Sequence, residues 1–443
     1  MPQEPVDTLI HPRWIATLDP DDRILEEHSL AIRQGRILTL LPQREAAARY
    51  RPGEEVDLPG HLLIPGLVNL HTHAAMTLMR GLADDLPLMT WLQEHIWPTE
   101  ARHMSEAFVQ DGTRLALLEM LRGGTTCFND MYFFPDETAR VTAAAGMRTC
   151  VGLILIDFPS AWAQDAEEYL HKGLEVCDQF RGHPLIRTAF APHAPYTVSA
   201  RHLQRMLTYA EELDLQIHMH LHETRDEVMG SLREHGQRPL ARMDALGLLS
   251  PRLIAVHMTQ LEPDERERLT RTGVHVAHCP QSNLKLASGF CPLADLERRG
   301  LNLGIGTDGA ASNNDLDLLD EGRSAALLAK AVAGEAAAVS AHRMLRMLTL
   351  DGARALGLDG EIGSIEPGKA ADLVAVDLSA PETQPLYDPI SQLIYAAGRE
   401  QIRHVWIAGR RLLADRRPLT LDAEAILARA GEWQTRIGTA ARG

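Results

Sequence analysis

Apolar residues in this chain come in short runs that end on a polar, chemistry-bearing side chain, and the runs alternate with stretches of helical spacing. The run Leu62-Leu63-Ile64-Pro65-Gly66-Leu67-Val68 leads into Asn69-Leu70-His71-Thr72-His73. Later runs end near Asp130, Ile156, His193, Glu223, His257, Asn283 and Asp308. Between them, 107–121 and 200–213 carry apolar residues at the three-to-four spacing of an amphipathic helix. About eight such β–α repeats in some 300 residues is the arithmetic of a TIM barrel. An open doubly wound sheet is the competing architecture. It lacks support, because no G-x-G-x-x-G follows the first candidate strand.

Both ends of the chain read differently. Ser29-Leu30-Ala31-Ile32-Arg33 and Arg36-Ile37-Leu38-Thr39-Leu40 flank Gln34-Gly35, a hairpin pattern. Ala371-Asp372-Leu373-Val374-Ala375-Val376 and His404-Val405-Trp406-Ile407-Ala408-Gly409 are strand-like, and Pro367-Gly368-Lys369 is a turn before the first of them. The expected architecture is therefore α/β: a (β/α)8 barrel over 65–365, with a small β-sandwich domain composed of 1–64 and 366–443.

Composition narrows the partners. A chain of 443 residues is too long for one ordinary core and suits a large barrel with a smaller domain. A net charge of −16 would repel nucleic-acid phosphates and acidic membrane surfaces, so neither is expected as a partner. No run reaches the roughly 18 apolar residues of a membrane span. Met1-Pro2-Gln3-Glu4-Pro5 has neither a basic n-region nor an apolar h-region, so no secretory signal is expected. The five cysteines, Cys127, Cys150, Cys177, Cys279 and Cys291, form no C-x-x-C pair and read as free thiols in a reducing cytoplasm. Both a monomer and a homo-oligomer are compatible with this composition.

The candidate chemistry begins at His71-Thr72-His73. Residues two apart on a strand point to the same face, so both imidazoles can reach one metal ion. A lone H-x-H is a weak signal. His218-Met219-His220-Leu221-His222-Glu223, Ala255-Val256-His257 and Gly306-Thr307-Asp308-Gly309 strengthen it, each placing His or Asp near the end of an apolar run. In a TIM barrel the strand C-termini carry the catalytic groups. His71, His73, one histidine of the 218–222 cluster and Asp308 would give three imidazoles and a carboxylate, a set suited to Zn²⁺ or Fe²⁺. By alternation His218, His220 and His222 share one strand face, which leaves the ligand among them open. The only lysines are Lys172, Lys285, Lys330 and Lys369, none at the strand end near His193. A bridging carbamylated lysine is thus excluded there, and one divalent metal per chain is expected.

These motifs resemble the amidohydrolase superfamily, and within it the cytosine-deaminase/chlorohydrolase branch. Pro65-Gly66-Leu67-Val68-Asn69-Leu70-His71-Thr72-His73, His220-Leu221-His222-Glu223, Gly306-Thr307-Asp308-Gly309-Ala310-Ala311-Ser312-Asn313-Asn314 and Gly363-Ser364-Ile365-Glu366-Pro367-Gly368-Lys369-Ala370-Ala371-Asp372-Leu373 carry the likeness. A closer resemblance, to 5′-methylthioadenosine/S-adenosylhomocysteine deaminases, rests on four segments. They are His73-Ala74-Ala75-Met76-Thr77-Leu78-Met79-Arg80-Gly81, Trp97-Pro98-Thr99-Glu100, Pro192-His193-Ala194-Pro195-Tyr196 and Ser282-Asn283-Leu284-Lys285-Leu286.

The resemblance implies His220 as the third imidazole ligand beside His71, His73 and Asp308. It implies Glu223 as the proton donor to purine N1. His257, with Asp308, would orient the attacking hydroxide, and Asp308 would take part in removing its proton. Glu100 would accept from the ribose hydroxyls and His193 would contact the nucleoside. The implied reaction is hydrolytic deamination of a 5′-modified adenosine at C6, releasing ammonia and the inosine analogue. The implied metal is zinc, with iron as the alternative. The rival substrates are guanine, cytosine or a triazine, and Glu100 separates them because a free base has no vicinal diol. A non-catalytic scaffold should have lost ligands, and none is missing. The segment 150–164 contains no arginine to hold the S-adenosylhomocysteine carboxylate, so 5′-methylthioadenosine is the expected preferred substrate, unless Arg80 or another loop arginine serves that tail.

Overall fold

The computed structural model describes residues 3–440. Eight strands form one parallel sheet in chain order: β1 (Leu67–Thr72), β2 (Thr125–Tyr132), β3 (Arg148–Leu155), β4 (Ile186–Pro192), β5 (Ile217–Leu221), β6 (Leu253–His257), β7 (His275–His278) and β8 (Leu303–Ile305). The sheet closes on itself where Thr72 bridges to Asp308 and the Asp308 amide donates to the His71 carbonyl at 3.0 Å. This is the expected (β/α)8 barrel.

Every residue of β1, β2 and β3 is buried. A parallel sheet has both faces covered, so its strands read as continuous apolar runs. Asn69 is a polar residue inside the barrel held by matched partners. It donates to Thr307 Oγ1 at 2.8 Å and accepts from the Thr307 amide at 3.0 Å, tying β1 to the segment after β8. The helix Glu106–Arg122, begun by a Ser105 hydroxyl that accepts from the Phe108 amide, packs Phe108, Ala116, Leu117 and Leu121 inward as its spacing predicts.

Two local expectations fail for identifiable reasons. The seventh strand stops at His278, not near Asn283, because Pro280 opens the helix Pro280–Lys285. Proline fits the first turn of a helix, where its missing N–H costs nothing. The other concerns His222. It leaves the strand with φ of 53°, so only His218 and His220 share the inward face.

The chain ends build a second sheet. Tyr50–Pro65 lies between Glu4–Ala16, in parallel, and Leu373–Asp377, antiparallel, so the N- and C-terminal segments join there. Ile10, Ile32, Ile37, Leu63, Leu373 and Trp406, from strands of both chain ends, share one core. The predicted hairpin pairs His28–Arg33 with Arg36–Pro42. Its turn residues Gln34 and Gly35 both have positive φ, as a primed two-residue turn requires. A Cβ on Gly35 would stand 2.6 Å from the Ala408 carbonyl oxygen, so glycine is needed where the two turns touch. The last helix, Ala423–Ala440, lies against Glu106–Arg122 on the flank of the barrel, where the Trp433 indole donates to Asp111 at 2.9 Å. No helix among the described residues is long and apolar enough to cross a membrane.

One buried ion pair joins the two sheets at the end of the barrel away from the histidines. Arg148, first residue of β3, donates to both oxygens of Asp372 at 3.0 and 3.2 Å, and the two side chains are 6% and 1% exposed. Removing one partner of such a pair leaves an uncompensated buried charge, at a cost of about 3–5 kcal/mol, whereas replacing both by apolar residues costs far less. Arg148→Met alone is expected to lower the urea midpoint of unfolding sharply, and Asp372→Leu added to it to restore most of the loss. A single variant as stable as the parent would show that the pair does not join the sheets in this way.

Candidate metal centre and substrate pocket

Four side chains from three strand ends converge on one point. His71 lies in β1 and His73 follows it, two residues apart and on one face. His220 comes from β5, and Asp308 follows β8. Their ligand atoms all lie within 4.8 Å of one another. The Nε2 atoms of His71 and His73 each stand 3.2 Å from Asp308 Oδ1, and His220 Nε2 is 3.1 Å from His71 Nε2.

The far sides of the rings are tied down. His73 Nδ1 donates to the Met131 carbonyl at 2.5 Å and His220 Nδ1 to the His193 carbonyl at 2.8 Å. A carbonyl can only accept, so both rings carry their proton outward and turn the Nε2 lone pair inward. His71 Nδ1 meets His218 Nε2 at 2.9 Å, which makes His218 a support for a ligand. Such outer partners set tautomer and orientation in metal sites. Burial pulls His71 down to about 4 and holds His218 and His220 well below the usual imidazole range, so these rings stay neutral. Burial also opposes the charge on His73, but the Asp308 carboxylate and the Met131 carbonyl reverse that and push it up to about 9. Asp308 is likewise held low by His71 and His73 against the effect of burial. Three imidazoles and a carboxylate gathered at one point are a donor set that fits one divalent ion of the zinc type. None of the four lysines is in the cluster.

Around this point lie the other expected residues. His257 ends β6 with φ of 76°, and its Nε2 is 3.9 Å from Glu223 Oε1. Its Nδ1 donates to Asn283 Oδ1 at 2.8 Å. Burial raises the Glu223 carboxyl, which favours its protonated form. Glu227 accepts from the amides of His222 and Glu223 at 3.0 and 2.7 Å and so clamps the backbone beneath Glu223. Ser282 Oγ donates to Asp308 Oδ2 at 2.6 Å. His222 faces away, bonded to the Gln260 carbonyl and the Leu240 amide. Left-handed backbone at His222, His257, Met258 and Asp308, all beside the cluster, is the kind of local strain that gathers at functional sites.

A cavity of about 580 Å³ opens above the cluster, with His73, His220, Glu223, His257 and Asp308 among its lining residues. Glu100 and His193 line it as well. Glu100 sits on the short helix Trp97–His103, which continues a π-helical turn, Trp91–Ile96. The Tyr132 hydroxyl donates to Glu100 Oε1 at 2.6 Å, but burial dominates and pushes the carboxyl up to about 7. His193 is bonded through Nδ1 to Thr197 Oγ1 at 3.1 Å, and burial lowers it to about 3. Most of the remaining wall is apolar, with Ser160, Tyr196 and Ser312 adding hydroxyls, and no arginine or lysine lines the cavity among the described residues. Arg80 is not available to it, being paired with Glu119 and the Asn314 carbonyl. Sequence reasoning missed Tyr132, Glu227 and Ser282 as partners of site residues. The only signal for the last was the Ser282-Asn283 motif, since Tyr132 and Ser282 reach their partners from other segments of the chain and Glu227 reaches Glu223 only through the turn after β5.

Comparison with known proteins agrees with this geometry. Residues 62–412 match the amidohydrolase family. A 5-methylthioadenosine/S-adenosylhomocysteine deaminase of Teredinibacter turnerae is 48% identical over 98% of both chains. The same enzyme of Saccharophagus degradans is 47% identical over 98% of this chain and 97% of that one. Among solved structures, an adenosine deaminase from Xanthomonas campestris with bound zinc superposes with a TM-score of 0.98 at 55% identity, covering 99% of this chain and 100% of that one. An atrazine chlorohydrolase from Arthrobacter aurescens, at 24% identity and a TM-score of 0.89 over 96% and 99% of the two chains, shares the fold. With its strand-end histidines and aspartate intact and its relatives matched from end to end, the chain belongs to the amidohydrolase family, among the 5-methylthioadenosine/S-adenosylhomocysteine deaminases, and is a metal-dependent hydrolytic deaminase.

Proposed function

We propose that this chain deaminates 5′-modified adenosines at C6, with 5′-methylthioadenosine preferred, S-adenosylhomocysteine and adenosine accepted less well, and ammonia and the inosine analogue released. One observation carries the reading: Glu223 and His257 face the cluster of His71, His73, His220 and Asp308 from the floor of a cavity whose wall holds Glu100. Those four residues would hold one zinc ion, which supplies a Lewis acid that makes water nucleophilic near neutral pH.

The chain's own residues do the rest. His257, its Nδ1 proton committed to Asn283, presents Nε2 to the cavity and orients the attacking water. Asp308, steadied by Ser282, takes the water's proton. Glu223, whose carboxyl burial pushes upward, donates to purine N1 and draws electrons from C6. The water oxygen adds at C6, the proton held by Asp308 passes to N6, and cleavage of the C6–N6 bond expels ammonia; the C6 hydroxyl proton returns to Glu223, leaving the hypoxanthine nucleoside. Glu100, backed by Tyr132, accepts from the ribose hydroxyls, and His193 contacts the nucleoside from β4. A free base or a triazine would leave Glu100 facing no hydroxyl, which favours a nucleoside over those rivals. The five buried free cysteines support a reducing, cytoplasmic setting.

Two measurements test this reading. Glu223→Gln keeps the shape and a hydrogen-bond donor but cannot shuttle a proton. It is expected to retain its metal and to lose at least ~10²-fold in kcat, the usual scale for a general acid–base group. Near-normal turnover would place the acid elsewhere. In steady-state assays following loss of the adenine absorbance, kcat/KM for 5′-methylthioadenosine is expected to exceed that for adenosine by roughly tenfold, since one buried apolar group is worth ~1–3 kcal/mol. It should exceed that for S-adenosylhomocysteine too. Higher efficiency on S-adenosylhomocysteine, or on guanine or cytosine, would sink the substrate assignment.

A further inference from the structure

Among the described residues, no arginine or lysine lines the cavity beyond Glu100. Trp97 and Glu100 are three residues apart on the helix Trp97–His103, so they share a face and are offset by about 4.5 Å along its axis. A ribose whose hydroxyls meet Glu100 therefore sends its neighbouring 5′ carbon toward or away from the Trp97 indole within one helical turn. Across from Trp97 stands Phe158, with ring centroids 6.4 Å apart and planes tilted by 59°. Ile154 and Ile156 at the end of β3 and Pro159 in the loop after it extend the same wall. Trp91 closes it and is itself only 6% exposed. Phe158 is 42% exposed, so the wall reaches the mouth of the cavity and does not end in a dead stop. Burying an unpaired carboxylate or ammonium against such a wall is strongly unfavourable, whereas added methylenes are not.

We propose that this cavity selects the 5′ substituent by charge and not by size, so that the enzyme deaminates 5′-deoxy-5′-thioadenosines carrying apolar groups longer than methyl. The proposal rests on the nucleoside reading above and names the substrate class it admits. The reaction at C6 is unchanged, with water consumed and ammonia released, and the alkylthio group is a bystander. Each methylene that reaches the wall can add about threefold to fourfold in binding, and one that passes the rim adds nothing.

The decisive comparison uses three nucleosides. 5′-n-Butylthioadenosine has four carbons on sulfur, as does the homocysteine tail in its main chain, but carries no charge. The proposal expects kcat/KM for the butyl compound to lie within threefold of, or above, that for 5′-methylthioadenosine, and S-adenosylhomocysteine to fall at least tenfold below the butyl compound. A tenfold drop from methyl to butyl, with 5′-methylthioadenosine turned over, means selection by size and overturns the proposal while leaving the nucleoside reading intact. S-Adenosylhomocysteine equal to the butyl compound overturns it as well. No turnover of any of the three overturns the nucleoside reading and the proposal with it. A second test places a cation on the wall. In Phe158→Arg the half-exposed position lets the guanidinium reach water, and the butyl-to-S-adenosylhomocysteine ratio is expected to fall at least tenfold. An unmoved ratio overturns the placement of the 5′ group beside Phe158.

Discussion

The seam between the first and last barrel strands is the constraint on which the site depends. There the Asp308 amide donates to the His71 carbonyl, and Thr72 bridges to Asp308. Gly306 makes this contact sterically feasible, because a Cβ at that position would stand 2.8 Å from the His71 nitrogen. Closing the barrel therefore carries the Asp308 carboxylate to the two imidazoles of β1, and β5 adds His220 from the facing wall. Once these groups are buried together, the electrostatics follow. Desolvation lowers His71 and His220, whereas the Asp308 carboxylate, against the same burial, raises His73 and is itself held low by His71 and His73.

The same desolvation acts on the acids of the cavity with opposite consequence. It lowers His71, His218 and His220 and raises Glu223 and Glu100, so one physical cause favours neutral imidazoles and uncharged carboxyls side by side. Stability is supplied at the other end. Arg148 and Asp372 clamp the outer sheet to the N-terminal end of β3, where no reaction partner lies, so strain at His222, His257 and Asp308 is borne by a scaffold fastened elsewhere.

Much of this was legible in the chain. The apolar runs marked the barrel strands, with the seventh carried too far, to Asn283, since a strand covered on both faces is largely apolar. The H-x-H at 71–73 exposed the ligands because strand geometry has period two. The Gln34-Gly35 turn is local chemistry and was readable as such. What escaped was non-local or conformational. Alternation cannot reveal that His222 turns out of register, because its positive φ breaks the period from which alternation is read. Asn283 looked like a strand end because it follows an apolar stretch, but Pro280 had already begun a helix, and the side chain returns to hold His257 from there. Tyr132 serves Glu100 through a long-range contact that only the folded chain creates, and Glu227 serves Glu223 through the local turn that opens the next helix. The π-helical turn at Trp91–Ile96, which shapes the cavity wall, has no distinct hydrophobic pattern.

The central claim is that four side chains gathered at the barrel seam hold one metal ion. Elemental analysis of the purified protein, joined to X-ray absorption at the metal edge, tests it most directly. The account predicts about one divalent ion per chain, with scattering from three imidazoles and oxygen ligands and none from sulfur, and its loss in Asp308→Ala. Two tightly held ions per chain, sulfur in the coordination shell, or full metal content in that variant would contradict it.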